Sequence, residues 1–212
     1  MKPLLLLVAT SLVACGSPKS SAPSEPAAQQ VAQPAGPLPE GRRAVTTPAA
    51  AEPAPEGVAE LDSLLRAWHK EDLPTRDALE KHTDAEDSLI WLAKNGDIMS
   101  VRVRALQLLR YYPDDTAGDV LLAIATDDAA HPTLQAAAIR GMSGQDLRTK
   151  ASLRDAAVGG LTSTDIRVGL AAVEVLSSLD DDSARMALRE AATRDGTPEK
   201  VREAAEAAST AD

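Results

Sequence analysis

The sequence predicts an all-α protein, a short α-α superhelix of stacked helix pairs that follows a disordered linker. Good helix formers interrupted by Asp, Gly, Ser and Thr breaks dominate residues 58–212, and no alternating strand pattern is evident. An apolar pattern recurs in this region about every 33 residues, which is the mark of a repeat architecture. Prolines concentrate before residue 58, and only Pro74, Pro113, Pro132 and Pro198 follow it.

The chain begins with the parts of an export signal. Lys2 supplies a positive charge, residues 4–13 are largely apolar, and small Ala14 precedes Cys15, the only cysteine. The apolar run is about half of the roughly 20 residues that a membrane-spanning helix needs. Residues 1–14 are therefore predicted to be a cleaved signal peptide. An ordinary signal peptide with a chance cysteine is the alternative.

Residues 12–15, Leu-Val-Ala-Cys, resemble the lipobox of bacterial lipoproteins. The resemblance implies a lipidated Cys15 at the mature N-terminus, and two or three acyl chains would make the attachment effectively permanent. Gly16 stands where lipoproteins of the inner membrane often carry Asp, which favours the outer membrane. We expect a protein of the bacterial cell envelope that faces the periplasm, with the lipid bilayer as a partner. With Cys15 lipidated, no thiol remains for a disulfide, for thiol catalysis or for thiolate binding of zinc.

Residues 15–57 have the composition of a tether. Residues 16–57 hold nine of the fourteen prolines and almost no large apolar side chains. Such a segment cannot bury enough surface to offset its chain entropy, so disorder is expected. At about 3.1 Å per residue where extended, it could hold a domain several tens of ångströms from the bilayer.

Four segments of residues 58–212 carry apolar or small residues at positions i, i+4 and i+7. They are Val101/Ala105/Leu108, Leu134/Ala138/Gly141, Ile166/Leu170/Val173 and Val201/Ala205/Ala208, and their first members lie 33, 32 and 35 residues apart. Amphipathic partner helices fit between them. The predicted repeats are residues 84–111, 116–143, 146–179 and 182–208, with N-terminal cap helices in residues 58–82. Each pair buries its apolar face only by stacking on its neighbours.

An acidic turn followed by Val-Arg-x-x-Ala resembles the second helix of HEAT repeats, and the clearest case is Asp97 before Val101-Arg102-Val103-Arg104-Ala105. The short period with small residues is similar to the phycobilisome-lyase-type subclass. The resemblance covers roughly residues 84–208 and is weakest in the second repeat, where Gln135 replaces the arginine. It implies a structural ladder of polar contacts between adjacent repeats, formed by Asp97, Arg102, Asp165, Arg167, Asp195 and Arg202. Ligand binding by these residues is the alternative.

Chemical motifs are not evident. The histidines, His69, His82 and His131, lie far apart, and His131 before Pro132 fits a helix cap. The acidic runs at Asp114, Asp127 and Asp180 lack the ligand pattern of a calcium loop, and helix capping explains them better. We therefore expect no catalytic residue, no metal and no cofactor.

The charge of residues 58–212 argues against nucleic acid as a partner. This region holds 18 Lys and Arg against 28 Asp and Glu, a net charge of −10. Nucleic-acid binding needs a basic surface that displaces counterions, and adhesion to anionic lipid is disfavoured for the same reason. The expected partner is an unidentified protein or peptide, and the negative charge favours one with a basic or mixed surface.

Two functional hypotheses follow. In the first, a non-enzymatic scaffold presents a concave face built by the second helix of each pair. The candidate binding residues on that face are Arg104, Gln107, Tyr111, Arg140 and Glu174; ordinary solvated surface is their alternative interpretation. In the second, the chain is an accessory or modifying enzyme of the phycobilisome-lyase-like HEAT class that acts on an envelope client. An enzyme would need a pocket with convergent titratable groups.

Overall fold

Ten α-helices make up most of the part of the chain that the structure describes. The computed structural model describes residues 53–67, 73–179 and 181–210. The helices are α1 Val58–Ala67, α2 Arg76–Leu79, α3 Ala85–Asn95, α4 Met99–Leu108, α5 Asp115–Ala125, α6 Pro132–Gly141, α7 Ala151–Gly160, α8 Ile166–Ser177, α9 Asp182–Thr193 and α10 Glu199–Thr210. No strand occurs in these ranges, and the predicted all-α class is confirmed. The predicted signal peptide, Cys15, most of the tether and His69 lie outside the described residues.

The helices pack as four consecutive pairs. In each pair, α3 with α4, α5 with α6, α7 with α8 and α9 with α10, the two helices contact each other along their lengths. The second members, α4, α6, α8 and α10, also pack each on the next, and we call them the second-helix row. The first members contact one another less. At the N-terminal end, α1 packs on α3 and α4, whereas α2 is a single turn.

The bounds of the pairs lie close to the predicted repeats. The first pair, with the 3₁₀ turn Leu109–Tyr111, ends at residue 111 as predicted, and the second ends with the 3₁₀ turn Met142–Gly144. The largest difference is at α7, which begins at Ala151 rather than near residue 146. The segment before it contains no regular helix because Asp146 forms a turn, accepting hydrogen bonds from the backbone N–H of Arg148 at 3.2 Å and from the hydroxyl of Thr149 at 2.9 Å.

The predicted apolar register is wrong for α8. Ile166 is 41% exposed, whereas Val168, Ala172 and Val175 are buried. Asp165 caps this helix, so Ile166 is its first residue and lies outside the packed face. The first buried residue of α8 is thus Val168 and not Ile166. The equivalent residues Val101, Leu134, Val168 and Val201 then lie 33, 34 and 33 residues apart. The corrected spacing is more regular than the predicted one. In α4, α6 and α10, the predicted first members are buried.

Close packing within the second-helix row depends on glycine. A side-chain carbon added at Gly169 of α8 would lie 2.6 Å from Val201 Cγ2 of α10, and one at Gly141 of α6 would collide with the carbonyl oxygen of Leu106 of α4. Hydrogen atoms at these positions let the helices approach. The many alanines of the row, buried at positions such as Ala138, have the same effect.

Acidic residues cap α5 and α9, as the sequence predicts, but the Asp127 run does not cap α6, because Asp127 Oδ1 accepts from the Ala129 N–H within the preceding turn at 2.9 Å. Asp114 Oδ1 accepts a hydrogen bond from the Ala117 N–H at 2.9 Å at the start of α5, and Asp181 Oδ1 accepts one from Ala184 at 2.7 Å at the start of α9. His131 caps α6 through Nδ1, which accepts from Thr133 N–H at 3.2 Å. These bonds satisfy backbone donors that the first helical turn leaves free.

Candidate interaction surface

Three of the five candidate binding residues form one line across the second-helix row. Gln107 of α4, Arg140 of α6 and Glu174 of α8 occupy equivalent positions, 33 and 34 residues apart, on helices that pack on one another. Arg140 Nε donates to Glu174 Oε2 at 2.7 Å, and the Glu174 side chain is 63% exposed. These residues therefore share one polar, accessible surface on the outer side of the row.

Arg104 has a structural contact as well as a surface position. Its guanidinium Nη1 donates a hydrogen bond to the backbone carbonyl of Leu65 in α1. This contact joins the N-terminal helix to the first pair and holds the arginine at the edge of the second-helix row. Because its acceptor is a neutral carbonyl, the positive charge of Arg104 is not cancelled.

Tyr111 lies beside an arginine that the apolar pattern did not single out. The Arg110 guanidinium carbon is 4.9 Å from the centre of the Tyr111 ring, and Arg110 Nη2 donates to the Tyr111 hydroxyl at 3.0 Å. Both side chains are half-exposed at the C-terminal end of α4. A cation held over an aromatic ring keeps its charge and its remaining donors for a further partner.

The surface of α4 and α6 differs in charge from the rest of the domain. Residues 98–113 and 129–145, which contain these two helices and their 3₁₀ turns, include no Asp or Glu. They do include four arginines, Arg102, Arg104, Arg110 and Arg140. In contrast, α10 contains Glu199, Glu203 and Glu206. They are the two longest runs without an acidic residue in residues 58–212, and they are the sequence signal from which this basic region could have been predicted.

Most of these arginines have neutral hydrogen-bond partners, so no carboxylate among the described residues offsets their positive charge. Arg102 Nε donates to the carbonyl oxygen of Ala93 at 3.0 Å, so it, like Arg104, meets a neutral acceptor. Six arginines elsewhere face carboxylates, whereas Arg202 faces none in the described ranges: the guanidiniums of Arg66, Arg76, Arg154, Arg167, Arg185 and Arg194 each lie within 4 Å of Asp or Glu. Within the part of the chain that the structure describes, Arg140 is the one arginine of the basic region that does so, through Glu174.

The six residues of the predicted ladder do not share one pattern of contacts. Asp97 accepts a hydrogen bond from Arg66 Nη2 of α1 at 2.6 Å, not from Arg102. Asp195 and Arg202 make no side-chain hydrogen bond or ion pair within the described ranges. After the register correction, the residue of α8 equivalent to Arg102 is Gly169, not Arg167. A regular Asp–Arg ladder is therefore not the arrangement that joins these repeats.

Arg167 makes the one contact of this set that joins neighbouring second helices. It donates to Thr133 Oγ1 at the start of α6 at 2.8 Å and to Asp165 Oδ2 at 2.7 Å. The hydrogen bond from the Arg167 guanidinium, aided by its backbone N–H, lowers the pKa of Asp165 to about 2. The Asp165 carboxylate thus stays ionised while it caps α8.

A polar cluster that the sequence did not reveal lies at the starts of α3, α5 and α7. Desolvation, a hydrogen bond to Asp114 and repulsion by its charge raise the pKa of Glu86 to about 7. Partial burial opposes ionisation of Asp114, but hydrogen bonds from Glu86 and from the backbone lower its pKa overall. Lys150 Nζ donates to the Asp114 carbonyl at 2.9 Å and to Gln145 Oε1 at 3.0 Å. The hydrogen bond between the two carboxyl groups links α3 to α5, and Lys150 links α7 to α5 through the Asp114 carbonyl.

An open groove of about 630 Å³ lies between α5 and α7. Its polar lining is mainly hydroxyl groups, with Asp128 and Asp155 as its titratable groups. In the part of the chain that the structure describes, no three His, Cys, Asp or Glu residues are grouped to hold a metal ion. The groove therefore offers a polar surface rather than a set of acid, base and nucleophile.

None of the described helices is both long enough and apolar enough to cross a membrane. No family model, no curated protein and no solved structure matches this chain. The geometry and charge of its own surface are therefore the basis for a functional proposal.

Proposed function

We propose that this chain is a lipid-anchored bacterial envelope protein whose HEAT-like repeats, a short α-solenoid, bind a protein partner without catalysing a reaction. The main observation in support of the proposal is the packing of the second-helix row. Its four helices pack side by side, and three of them, α4, α6 and α8, present Gln107, Arg140 and Glu174 at equivalent positions. Stacked repeats of this kind provide extended surfaces for protein partners.

The anchor and tether complete the proposal. Cys15 would carry the acyl chains at the outer membrane, and the proline-rich segment would let the repeats reach a partner in the periplasm. Support comes from the Leu-Val-Ala-Cys motif and from the composition of residues 16–57. The negative charge of the repeats disfavours adhesion to anionic lipid, so the anchor alone would hold the protein at the bilayer.

Photo-crosslinking in cells tests which face binds. A photoreactive phenylalanine analogue would replace Gln107 or Arg140 in the second-helix row, and Asp119 of α5 or Arg189 of α9 as matched positions on first helices. We expect one common partner to crosslink from Gln107 and Arg140 but not from the first helices. Crosslinks to that partner only from Asp119 and Arg189 would contradict the proposal.

Replacement of Cys15 tests the anchor. The Cys15→Ser variant has no thiol to acylate, so we expect it to leave the membrane fraction when cells are separated without detergent. Ser17→Ala, two residues away, serves as the control and should stay with the membranes. Equal distributions of Cys15→Ser and wild type would refute lipid anchoring.

A further inference from the structure

The basic region of the second-helix row has a defined extent. The residues of this region that we assign to the binding surface are Arg104 and Gln107 of α4, Arg110 and Tyr111 of the 3₁₀ turn that follows it, and Arg140 of α6. These helices pack directly on each other, and the 3₁₀ turns that follow them are also in contact. The backbone of Gly144 lies so close to the carbonyl of Arg110 that no side chain would fit there. The helices and turns that carry the five side chains are therefore held closely against each other.

We infer that this basic region binds an acidic peptide segment of the protein partner. This inference rests on the proposed function and names the chemistry of its partner. Arg104 and Arg110 are bonded to a carbonyl and a phenol, so a carboxylate can approach them without breaking an ion pair. Arginine offers a planar fork of donors that matches a carboxylate, and Tyr111 adds an aromatic surface beside it.

Glu174 acts as an internal competitor at one edge of the region. Its carboxylate occupies Arg140 at 2.7 Å, which is the position that a carboxylate of the bound peptide would take. Beyond it, α10 carries Glu199, Glu203 and Glu206. Because α10 also carries Lys200 and Arg202, its two cations and three carboxylates give a net charge of −1, whereas the charged residues of α4 and α6 are all arginines. This difference would favour one direction for a bound acidic segment.

The net charge of the domain favours a short acidic segment over a larger polyanion. At physiological ionic strength, charges interact over about 8 Å, so a short peptide experiences mainly the arginines that it touches. A membrane surface or a nucleic acid would also face the many carboxylates around them, and the net charge of −10 would oppose its approach.

Fluorescence anisotropy of the full chain in detergent micelles tests the inference. The probe is a fluorescein-labelled twelve-residue peptide of alternating Glu and Ala, with a Lys and Ala peptide as its control. We expect binding of the acidic peptide alone. Arg110→Gln and Arg140→Gln should each weaken it about threefold, the usual size for an exposed ion pair. Glu174→Gln should strengthen it because Arg140 becomes free.

Arg189→Gln on α9 is the matched control, since it removes the same charge from a first helix. Equal weakening by Arg189→Gln and Arg110→Gln would overturn the inference, and so would failure of the acidic peptide to bind. Arginine-dependent binding of an anionic vesicle or an oligonucleotide in preference to the peptide would also overturn it. If the peptide fails while Gln107 still crosslinks to a partner, the inference alone is wrong; crosslinks restricted to first helices would remove the proposed function itself.

Discussion

Helices α8 and α9 have the same length but different environments. Each has 12 residues, yet α8 buries seven of them and α9 only three. The difference arises because α8 belongs to the second-helix row and packs on α6, α7, α9 and α10, whereas α9 packs mainly on α10. An interior second helix such as α8 thus contributes more to the core than α9, which covers one side of it. We therefore expect the loss in the free energy of unfolding to depend on whether a substitution lies in a first helix or in a second helix.

The largest effect should come from a charge buried in the second-helix row. Val168→Asp would place an unpaired carboxylate among buried apolar side chains, which costs several kcal/mol. Ile166→Asp is the matched control, since Ile166 is 41% exposed at the start of the same helix. Urea unfolding measures both free energies of unfolding. Similar losses for the two variants would show that the corrected register of α8 is wrong.

The same glycine substitution should have opposite effects in the two sets of helices. At Gly169 of α8, an added methyl group would lie 2.6 Å from Val201, so Gly169→Ala should destabilise by about 1–3 kcal/mol through overpacking. At Gly159 of α7 an added methyl group meets no atom within 4 Å. Because alanine is the better helix former, Gly159→Ala should stabilise by up to about 1 kcal/mol. Thermal unfolding compares them, and a shift of the same sign at both sites would contradict the packing difference.

Loss of a cap should have a smaller effect on a first helix. Asp181→Ala removes the acceptor of the 2.7 Å hydrogen bond from Ala184 at the start of α9, at a cost of about 1 kcal/mol. Asp182→Ala, at the next residue, serves as the control, since it removes an exposed carboxylate that faces the Arg185 guanidinium at 3.6 Å rather than a backbone N–H. If urea unfolding shows equal stability losses, the contribution of the cap is refuted.

The smallest effect concerns pH and the Glu86–Asp114 pair. The pKa of Glu86 is raised from 4.5 to about 7, so the folded protein holds a proton that the unfolded chain releases between these values. Its contribution to stability is therefore present at low pH and is lost as pH rises through 7. Glu86→Gln should remove this part of the pH dependence, whereas Glu203→Gln on α10 should keep it. Unfolding curves between pH 4.5 and 8 test this, and an unchanged slope for Glu86→Gln would disprove it.

The features that were predictable depend on neighbours in the sequence. Asp114, His131 and Asp181 cap their helices because each lies directly before a helical segment, and that signal is local. The apolar period also identified the packed faces of α4, α6 and α10. It failed at α8, where Ile166 and Val168 are both apolar and only burial distinguishes them.

The features that were missed depend on residues far apart in the chain. Glu86 and Asp114 meet because the first turns of α3 and α5 lie side by side, and no spacing rule predicts that contact. Arg66 and Asp97, which form an ion pair, lie 31 positions apart. Arg110 is an exception, because it stacks on its sequence neighbour Tyr111, and the apolar pattern did not single it out.

By itself, the sequence determined that this protein is helical, where most helices begin, and that a period near 33 residues organises them. Helix propensity, capping and apolar spacing are local properties, so the chain carries them before it folds. Tertiary structure alone decided which distant residues meet, such as Arg66 with Asp97 and Arg140 with Glu174. Contacts between residues more than 30 positions apart form only when the helices pack.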